Sequence, residues 1–292
     1  MANPSETAKA AEAVDKAIHE LGTFDLIVDD SEGGSAPPST YLLRHRHEYV
    51  RTVADILHHR PPQGDPVKVM ELGAFFGTVC IALSSLGYDV TASDIPEYIE
   101  MPEQVARYAR HGVKTKGVRL QDFRLPFEDE SFDVVIMCEV LEHLNFNPLP
   151  LLKEINRVLK PGGIFYLSLP NYANIRNRVK VLKGGAPGID PGFFYEQLRP
   201  GGQMIVYGHW REYTGPEVRA LLEPLGFRIE RQYYFGLSEL QKGGGLKKML
   251  ARAIYRRLPA LKENQTTIAI REKRTDLPFR IPATVHPELT TI

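Results

Sequence analysis

The chain has 292 residues, of which 43% are hydrophobic and 25% are charged. This composition is typical of a globular protein with a packed core and excludes global disorder. The 36 basic residues balance the 36 acidic ones, so the formal net charge of zero provides no general attraction to nucleic acid or to an anionic membrane. We therefore expect a small or neutral partner and no nucleic acid.

Two features of the sequence indicate where the protein works. The N-terminus lacks the apolar segment of a secretory signal, and no stretch approaches about 18 continuous apolar residues. The only cysteines, Cys80 and Cys138, each lie in an apolar segment and do not suggest a disulfide framework. The sequence predicts a soluble, cytoplasmic protein without stable membrane insertion.

Residues 1–65 are predicted to form a helical N-terminal cap or arm. Apolar residues recur at helical spacing in Val14–Leu21 and in Tyr41–Leu57, around an acidic stretch rich in Gly and Pro. The segment PPQGDP at 61–66 has the turn chemistry of a linker. We expect the regular part of the fold to begin directly after it.

Residues 66–274 alternate between strand and helix patterns, which predicts a mostly parallel sheet with helices on both faces. The predicted strands are 67–72, 89–93, 115–120, 132–137, 163–169, 227–234 and 265–271. The predicted helices are 77–86, 103–111, 148–159, 215–225 and a basic amphipathic helix within 246–261. We expect this basic helix to pack over the sheet rather than to touch a membrane. Three prolines in 275–292 predict a C-terminal tail that wraps or frays.

The pattern breaks at 171–213, and so long an excursion over a sheet edge predicts a substrate lid. Its polar side chains are suited to hydrogen-bonding a carbohydrate, although a solvated helix start explains them equally well. These are Asn171, Asn174, Arg176, Asn177 and Arg178. The aromatic rings that would contact such an acceptor are Tyr172, Phe193, Phe194, Tyr195 and Trp210.

A glycine-containing turn, ELGAFFG at 71–77, joins the first predicted strand to a helix. Gly73 and Gly77 let a ligand approach the backbone closely at a helix N-terminus, where free amides favour an anionic group. Phe75 occupies the position of the middle glycine of a dinucleotide-binding turn, which leaves little room for a pyrophosphate. A packing role for the two glycines is the alternative. The turn favours a nucleotide-type ligand other than NAD.

Acidic residues follow the next two predicted strands. Asp94 ends the second strand, about 20 residues after Gly73, where a carboxylate can bind both ribose hydroxyls. Asp122 and Phe123 follow the third strand, and they offer a carboxylate to an adenine amino group and an apolar face to its ring. A solvated loop aspartate is the alternative for Asp122.

Together these segments resemble class I S-adenosylmethionine-dependent methyltransferases. The resemblance rests on ELGAFFG, ASD, QDFRLPFEDESFDVVIMCEVLEHL and LLKEINRVLKPGGIFYLSLPN, within residues 66–175. HWREYTGPEVRALLEPLGFRIE and TTIAIREK are similar to the later segments of bacterial members, including many that act on sugars and glycans. The resemblance implies a Rossmann-like, seven-stranded sheet whose last strand is antiparallel, with S-adenosyl-L-methionine as cofactor.

The resemblance also implies a set of cofactor-binding residues. Glu139 would lie near the methionine part, at the end of the fourth strand. Phe75 departs from the family, in which many members have glycine. The residues that would line the cofactor are Glu71, Gly73, Asp94, Asp122 and Glu139, with Phe75, Gly77 and Phe123 as further candidates from the reading of the turns.

The segment CEVLEHL contains the candidate catalytic groups. Glu139, Glu142 and His143 have the spacing i, i+3 and i+4, so they share one face if a helical turn starts there. Methyl transfer to a hydroxyl requires alignment and removal of a proton. We expect His143 to be the base, with Glu142 beside it and His209 as the second candidate. A helix cap or a packed polar group is the alternative for either histidine.

The same residues permit a metal site. Glu-x-x-Glu-His followed by a distant His resembles the metal-binding set of small-RNA 2′-O-methyltransferases and of ubiquinone-pathway O-methyltransferases. Glu139, Glu142, His143 and His209 would then bind Mg²⁺ or a similar divalent ion, which acidifies an acceptor hydroxyl. Many relatives carry EVLEHL without a metal, so a metal-free site stays open.

The predicted function is O-methylation of a hydroxyl on a small molecule or oligosaccharide, such as a sugar. A methylmannoside is one acceptor within that class, suggested by the family resemblance alone. The alternatives are a methyltransferase for a phenol, quinone or amine metabolite, and an adenosylmethionine-binding scaffold without activity. The sequence does not indicate an oligomeric state.

Overall fold

The structure is a computed structural model that describes residues 2–21, 28–30, 34–36, 38–188, 192, 195, 208–236 and 246–278. The helices in this part of the chain are α1 (Pro4–Leu21), α2 (Pro38–His59), α3 (Thr78–Ser85), α4 (Pro96–Ile99), α5 (Pro102–Arg110), α6 (Leu149–Val158), α7 (Ile175–Leu182), α8 (Gly215–Leu222) and α9 (Leu246–Arg257). Short 3₁₀ turns occur at Leu120–Asp122, Leu141–His143, Glu223–Leu225 and Pro259–Leu261.

A seven-stranded sheet forms the centre of the protein. Its strands are β3 (Lys68–Leu72), β4 (Asp89–Asp94), β5 (Lys114–Gly117), β6 (Phe132–Cys138), β7 (Leu159–Pro170), β8 (Phe227–Phe235) and β9 (Asn264–Arg271). They are arranged in the order β5-β4-β3-β6-β7-β9-β8. Only β9 is antiparallel to its neighbours within this sheet. The predicted α/β fold, including the antiparallel last strand, is confirmed. A separate two-stranded antiparallel sheet consists of β1 (Val28–Asp30) and β2 (Gly34–Ala36).

The apolar composition of the central strands explains why both faces of the sheet are covered. Every residue from Phe132 to Met137 of β6 is buried, as expected for a parallel strand between two helical layers. One layer includes α1, α2 and α3, and the other includes α6 and α8. Val14 and Leu21 of α1 are buried against this core. The N-terminal helices therefore pack onto the sheet domain, while the boundary at residue 65 stays a prediction.

Some element limits differ from the prediction. The strand predicted at 163–169 begins at Leu159, because the chain leaves α6 at Val158 and pairs with β6 at once. The strand predicted at 115–120 is Lys114–Gly117, and a 3₁₀ turn follows it. Edge pairing to β4 extends over only these four residues, so the chain is free to turn earlier.

The basic helix α9 differs from expectation in its exposure. Among the side chains of α9 that the structure describes, only Tyr255 is half-buried, and the others are exposed. Apolar residues at helical spacing predicted packing, but Met249 is 63% exposed and Ile254 is 40% exposed. The expectation that this helix packs over the sheet is therefore wrong for the side chains described.

Parts of two predicted regions lie outside the described residues. Of the predicted lid 171–213, the structure describes 171–188, 192, 195 and 208–213, so Phe193 and Phe194 fall outside it. Of the tail, it describes 275–278. Across the described part of the chain, none of the helices is both long enough and apolar enough to cross a membrane. Cys80 and Cys138 are free thiols, as predicted.

Candidate active site

The predicted site residues lie at one edge of the sheet, where the parallel strands end. The turn Gly73–Gly77 follows β3, Asp94 ends β4, and Glu139 follows β6. Open α/β sheets bind ligands at this carboxyl edge, beside the point where the strand order reverses. In this sheet the reversal falls between β3 and β6. The fold thus brings the predicted cofactor residues to its usual ligand-binding edge.

The glycine turn has a fixed path. Gly73 and Gly77 have φ of 76° and 77°, in the left-handed region that favours glycine. A Cβ on Gly73 would lie 2.3 Å from Val140 Cγ2, and one on Gly77 would lie 2.3 Å from Tyr108 Cε1. Phe75 also has a positive φ, of 45°, and its ring is exposed. Both glycines are therefore required by packing as well as by backbone conformation.

Asp94 is held rigidly beside this turn. Its Oδ2 accepts a hydrogen bond from the Phe75 amide and its Oδ1 accepts one from the Ile95 amide, both at 2.8 Å. Partial burial raises the pKa of the Asp94 carboxyl, and the two backbone hydrogen bonds oppose this rise. Each oxygen keeps a lone pair for a further donor. The carboxylate is oriented as binding of a diol requires.

Glu71 is buried in β3 beneath the turn. The Cys80 thiol donates to its Oε2 at 2.9 Å, a contact that the sequence did not predict because both cysteines read as core residues. Burial raises the pKa of Glu71 to about 7, with a further contribution from Asp94. Glu71 can therefore exist in either charge state near neutral pH.

Asp122 and Phe123 lie at the far side of this edge, after β5. Asp122 is exposed at the end of a 3₁₀ turn, and Phe123 has φ of 54°. The Phe123 ring packs edge-on against Phe146, with centroids 5.2 Å apart. The two rings form an apolar wall with the Asp122 carboxylate next to it, and their role toward an adenine ring stays a prediction.

The segment after β6 turns more sharply than an α-helix. Glu139 has φ of 53°, and the 3₁₀ turn begins only at Leu141. As a result Glu142 is fully buried, whereas the side chain of His143 is 43% exposed and Glu139 faces the open cleft. Loss of hydration inside the protein is the main cause that raises the pKa of Glu139. Repulsion from the nearby Glu142 carboxylate raises this pKa further. The condition for one shared helical face is therefore not met at Glu139.

Glu142 is the most unusual group of the site. Both of its carboxylate oxygens are buried without a hydrogen-bond partner. Its Oε1 lies 3.9 Å from Nε2 of His143 and 4.0 Å from Nε2 of His209. Burial is the main cause that raises the pKa of Glu142 to about 7. A buried carboxylate without donors is costly, which makes Glu142 a candidate for binding a ligand group.

The two histidines differ in their electrostatics. Nδ1 of His143 lies 3.3 Å from the Gly208 carbonyl, an acceptor, so this nitrogen carries the proton and Nε2 is free to accept one. Burial and the neighbouring His209 lower the pKa of His143. In contrast, the hydrogen bond from Nδ1 of His209 to Glu212 Oε1 raises the pKa of His209. These shifts favour the neutral form of His143, which can accept a proton, and the protonated form of His209.

The three side chains Glu142, His143 and His209 form a group suited to a metal ion. One ligand atom from each lies within 4.8 Å of the others. Glu139, the fourth residue of the predicted set, is not part of this group. The unpartnered oxygens of Glu142 and the carboxylate–imidazole chemistry fit a divalent cation.

The polar residues predicted to bind a carbohydrate support the fold instead. Asn171 donates to the carbonyls of Ala260 and Lys262, both at 2.8 Å. Asn174 is the N-cap of α7. The remaining members are also engaged: Asn177 with Tyr172 and Glu212, Arg176 with Glu263, and Arg178 with Ala173. This cluster does not present a free row of donors to an acceptor.

Helix α2 contributes to the cleft, which the sequence did not predict. The Tyr41 ring meets the Phe75 ring edge-on at 6.0 Å. His45 Nδ1 lies 2.9 Å from Glu48 Oε2, and Asn264 at the start of β9 donates to Glu48 Oε1 at 3.1 Å. Spacing of i, i+4 and i+7 for Tyr41, His45 and Glu48 was the available signal of a common face. Only the packed structure shows that this face meets the carboxyl edge.

Comparison with known proteins finds similarity to methyltransferases. A family model described as "Methyltransferase domain" matches residues 70–167. The chain is 29% identical over 197 residues to a protein of Mycolicibacterium smegmatis named as an S-adenosylmethionine-dependent methyltransferase, covering 68% of this chain and 63% of that protein. It is 30% identical over 158 residues to the ubiquinone biosynthesis O-methyltransferase of Haemophilus ducreyi, covering 52% and 64%. The chain thus spans less than two thirds of these relatives.

Solved structures share the fold. One is a chain of the complex between the Trm112 methyltransferase activator of Haloferax volcanii and a methyltransferase, with a TM-score of 0.53, 16% identity and coverage of 94% of this chain and 100% of that one. Another is a SAM-dependent methyltransferase of Methanosarcina mazei, with a TM-score of 0.51, 21% identity and coverage of 74% and 96%. The chain thus matches a methyltransferase domain over residues 70–167, is similar to a protein named as an S-adenosylmethionine-dependent methyltransferase, and has the fold of these solved structures.

Proposed function

We propose that this chain transfers the methyl group of S-adenosylmethionine to a hydroxyl group, with His143 as the general base. The observation that carries the proposal is the state of His143. Its Nδ1 is held by the Gly208 carbonyl, its Nε2 is free, and its pKa is lowered. A neutral imidazole at the mouth of the cofactor edge is suited to take a proton from a hydroxyl as it is methylated.

The cofactor edge would hold S-adenosylmethionine through residues whose geometry is already fixed. The oriented carboxylate of Asp94 fits a ribose diol, and the wall of Phe123 beside Asp122 fits an adenine ring. The sulfonium of the cofactor supplies a methyl carbon that is already activated for displacement. The protein therefore has to align the acceptor and remove its proton.

The remaining charged groups would orient the base and the acceptor. His209 is held by Glu212, so its Nε2 faces Glu142. A protonated His209 stabilises the carboxylate of Glu142, and Glu142 in turn lies beside Nε2 of His143. This arrangement keeps the Glu142 carboxylate and the protonated His209 next to His143, while Nε2 of His143 forms no hydrogen bond with either.

A divalent metal ion is part of the proposal as a second way to activate the hydroxyl. Glu142, His143 and His209 would hold it, and a metal acidifies an oxygen bound to it. With a metal in place, His143 would be a ligand rather than a base. If the metal is required, dialysis against a chelator should abolish turnover and Mn²⁺ or Zn²⁺ should restore it. Full activity after chelation would rule out a required metal and support the mechanism in which His143 is the base.

The acceptor is proposed in two forms. A hydroxyl of a sugar or oligosaccharide, such as a methylmannoside, follows from the family resemblance of the later segments. A phenolic hydroxyl is favoured by the similarity to proteins named as ubiquinone biosynthesis O-methyltransferases. Engagement of the Asn and Arg cluster by the fold weakens the case for the sugar.

The test is transfer of a labelled methyl group to a panel of acceptors. The panel contains neutral glycosides, catechols, amines and a buffer-only control, and S-adenosylhomocysteine binding is measured by calorimetry beforehand. Transfer to a hydroxyl compound supports the proposal, whereas transfer only to amines would overturn it. Binding of S-adenosylhomocysteine without transfer to any compound would favour the adenosylmethionine-binding scaffold.

A further inference from the structure

Two helical segments near the cleft are strongly basic. The segment 175–183 contains four Lys or Arg residues and no acidic residue, and the segment 246–262 contains six and no acidic residue. The chain as a whole has a formal net charge of zero. Positive charge is therefore concentrated in the segments of α7 and α9.

The same segments expose large aliphatic side chains. On α7, Val181 is 53% exposed and Leu182 is 86% exposed. On α9 and just after it, Met249 is 63% exposed and Leu258 is 56% exposed. Single exposed apolar residues are ordinary, but groups of them among polar residues mark interaction surfaces.

Hydrogen bonds and an ion pair connect these segments to one another. Arg176, at the start of α7, pairs with Glu263, which follows α9, at 2.9 Å. Asn171, just before α7, donates to the Ala260 carbonyl at 2.8 Å. The chain around α7 and the chain that follows α9 are therefore in direct contact at the carboxyl edge of the sheet.

The loop 208–213 joins this surface to the active site. Asn177 of α7 donates to Glu212 Oε2 at 3.2 Å. The Trp210 amide donates to the Glu142 carbonyl at 2.7 Å, while the Trp210 side chain remains 45% exposed. Tyr172, whose amide donates to the carbonyl of Tyr213 at the end of this loop, is also exposed. We call residues 172–183, 208–213 and 246–262 the basic rim.

We propose that the basic rim binds the surface of an anionic lipid bilayer. Basic side chains attract anionic headgroups, exposed aliphatic side chains enter the acyl boundary, and Trp and Tyr are suited to the interface between them. The rim also exposes Trp210 and Tyr172, rings that could stack on bases, but the large apolar side chains exposed on α7 and α9 are aliphatic, and aliphatic side chains enter an acyl layer and do not stack on bases. The proposal does not depend on methyl transfer.

Docking in this manner brings the active-site mouth to the membrane. Trp210 is bonded directly to Glu142, so contact of the rim with lipid places the Glu142–His143–His209 group next to the headgroup layer. An acceptor carried in the bilayer would reach His143 without crossing bulk water.

The test uses Trp210, the only tryptophan of the chain, as a fluorescent probe. The full chain is mixed with vesicles of phosphatidylcholine alone or of phosphatidylcholine with phosphatidylglycerol. We expect a blue shift of the emission and co-sedimentation with the phosphatidylglycerol vesicles, both decreasing as salt is added. Absence of binding at low salt, or equal binding to both vesicles, would overturn the proposal.

Charge-neutralised variants locate the binding surface. Lys180→Gln with Lys183→Gln should weaken binding to the anionic vesicles about 25-fold, since each basic residue near such a surface contributes about fivefold. Lys9→Gln with Lys16→Gln, on α1 outside the rim, should leave it unchanged. Melting temperatures of both variants check folding. Unchanged vesicle binding by the first variant, or displacement from vesicles by poly(U) RNA, would overturn the proposal.

Discussion

The two halves of the cleft are built on different principles. In the cofactor half, Asp94 accepts two backbone hydrogen bonds and Glu71 accepts one from Cys80. In the acceptor half, both oxygens of Glu142 are buried without a partner, and Glu139 gains a raised pKa from its neighbours. The carboxylates of the first half accept hydrogen bonds, whereas the second half contains a buried carboxylate that accepts none and has the two imidazoles near it.

This difference teaches where the chemistry is located. Buried polar groups are normally hydrogen-bonded, so an unpaired one points to a ligand, an ion or a catalytic role. In the proposed cofactor half, backbone hydrogen bonds fix the orientation of the Asp94 carboxylate. The acceptor half uses groups whose charge can change near neutral pH, namely Glu142, His143 and His209.

The largest expected effect comes from the base in the acceptor half. His143→Ala should slow methyl transfer by about 10²–10⁴-fold, because general base catalysis by a positioned side chain contributes an amount of this order. The affinity for S-adenosylhomocysteine should not change. Initial rates and calorimetry measure the two quantities. His111→Ala, which removes a histidine paired with Glu20 away from the cleft, is the matched control; near-normal turnover of His143→Ala would contradict the proposed role.

A smaller effect is expected in the cofactor half. Asp94→Ala should weaken S-adenosylhomocysteine binding by about 10–100-fold, because hydrogen bonds to a charged group contribute about 1.5–3 kcal/mol. Calorimetry measures the change. Asp89→Ala, at the other end of β4 and paired with Lys114, controls for damage to the strand. Unchanged affinity in Asp94→Ala would separate this residue from the cofactor.

The smallest effect concerns the free energy of unfolding. Replacing either of two glutamates by glutamine should change it, in opposite directions. The pKa of Glu142 is about 7 in the folded protein, above its ordinary value of 4.5. The contribution of protonated Glu142 to the free energy of unfolding is therefore fully present below about pH 4.5. It is lost as the pH rises through about 7, because ionisation of this side chain is costly only in the folded state. Glu142→Gln removes this cost and should stabilise the protein by about 1–3 kcal/mol at pH 8.

The comparison variant for this prediction is Glu154→Gln. Glu154 accepts from the Leu125 amide and pairs with Arg157 at 2.7 Å, so its charge is compensated. Its neutralisation should destabilise the protein at pH 8. Urea unfolding at pH 5 and pH 8 measures both variants. A loss of stability in Glu142→Gln at pH 8 would show that this carboxylate has a partner in solution.

Local patterns account for the place of several predicted site residues in the fold. A glycine turn after an apolar strand, and acidic residues at the ends of the next strands, are set by short-range chemistry. Parallel strands then bring their carboxyl ends to one edge, which puts Gly73, Asp94 and Glu139 together. Prediction of the helical face at Glu139 failed because a positive φ delays the turn until Leu141.

Contacts between distant segments could not be predicted in this way. The polar cluster that begins at Asn171 looked like a ligand surface, yet its members bond to the protein, as Asn171 does to the carbonyls of Ala260 and Lys262 and Arg176 to Glu263. Helix α9 looked amphipathic, yet among its described side chains the apolar residues Met249 and Ile254 are 63% and 40% exposed. Residue type indicates what a side chain can do, but packing decides whether its partner is the protein itself.

The sequence by itself determined the α/β architecture and the location of the cofactor edge, because hydrophobic period and turn chemistry act over a few residues. Only the tertiary structure decided that Glu142 is buried between His143 and His209, and that α2 brings His45 and Glu48 to the same cleft. These arrangements join residues far apart in the chain. Their charges and burial exist only after the chain has folded around them.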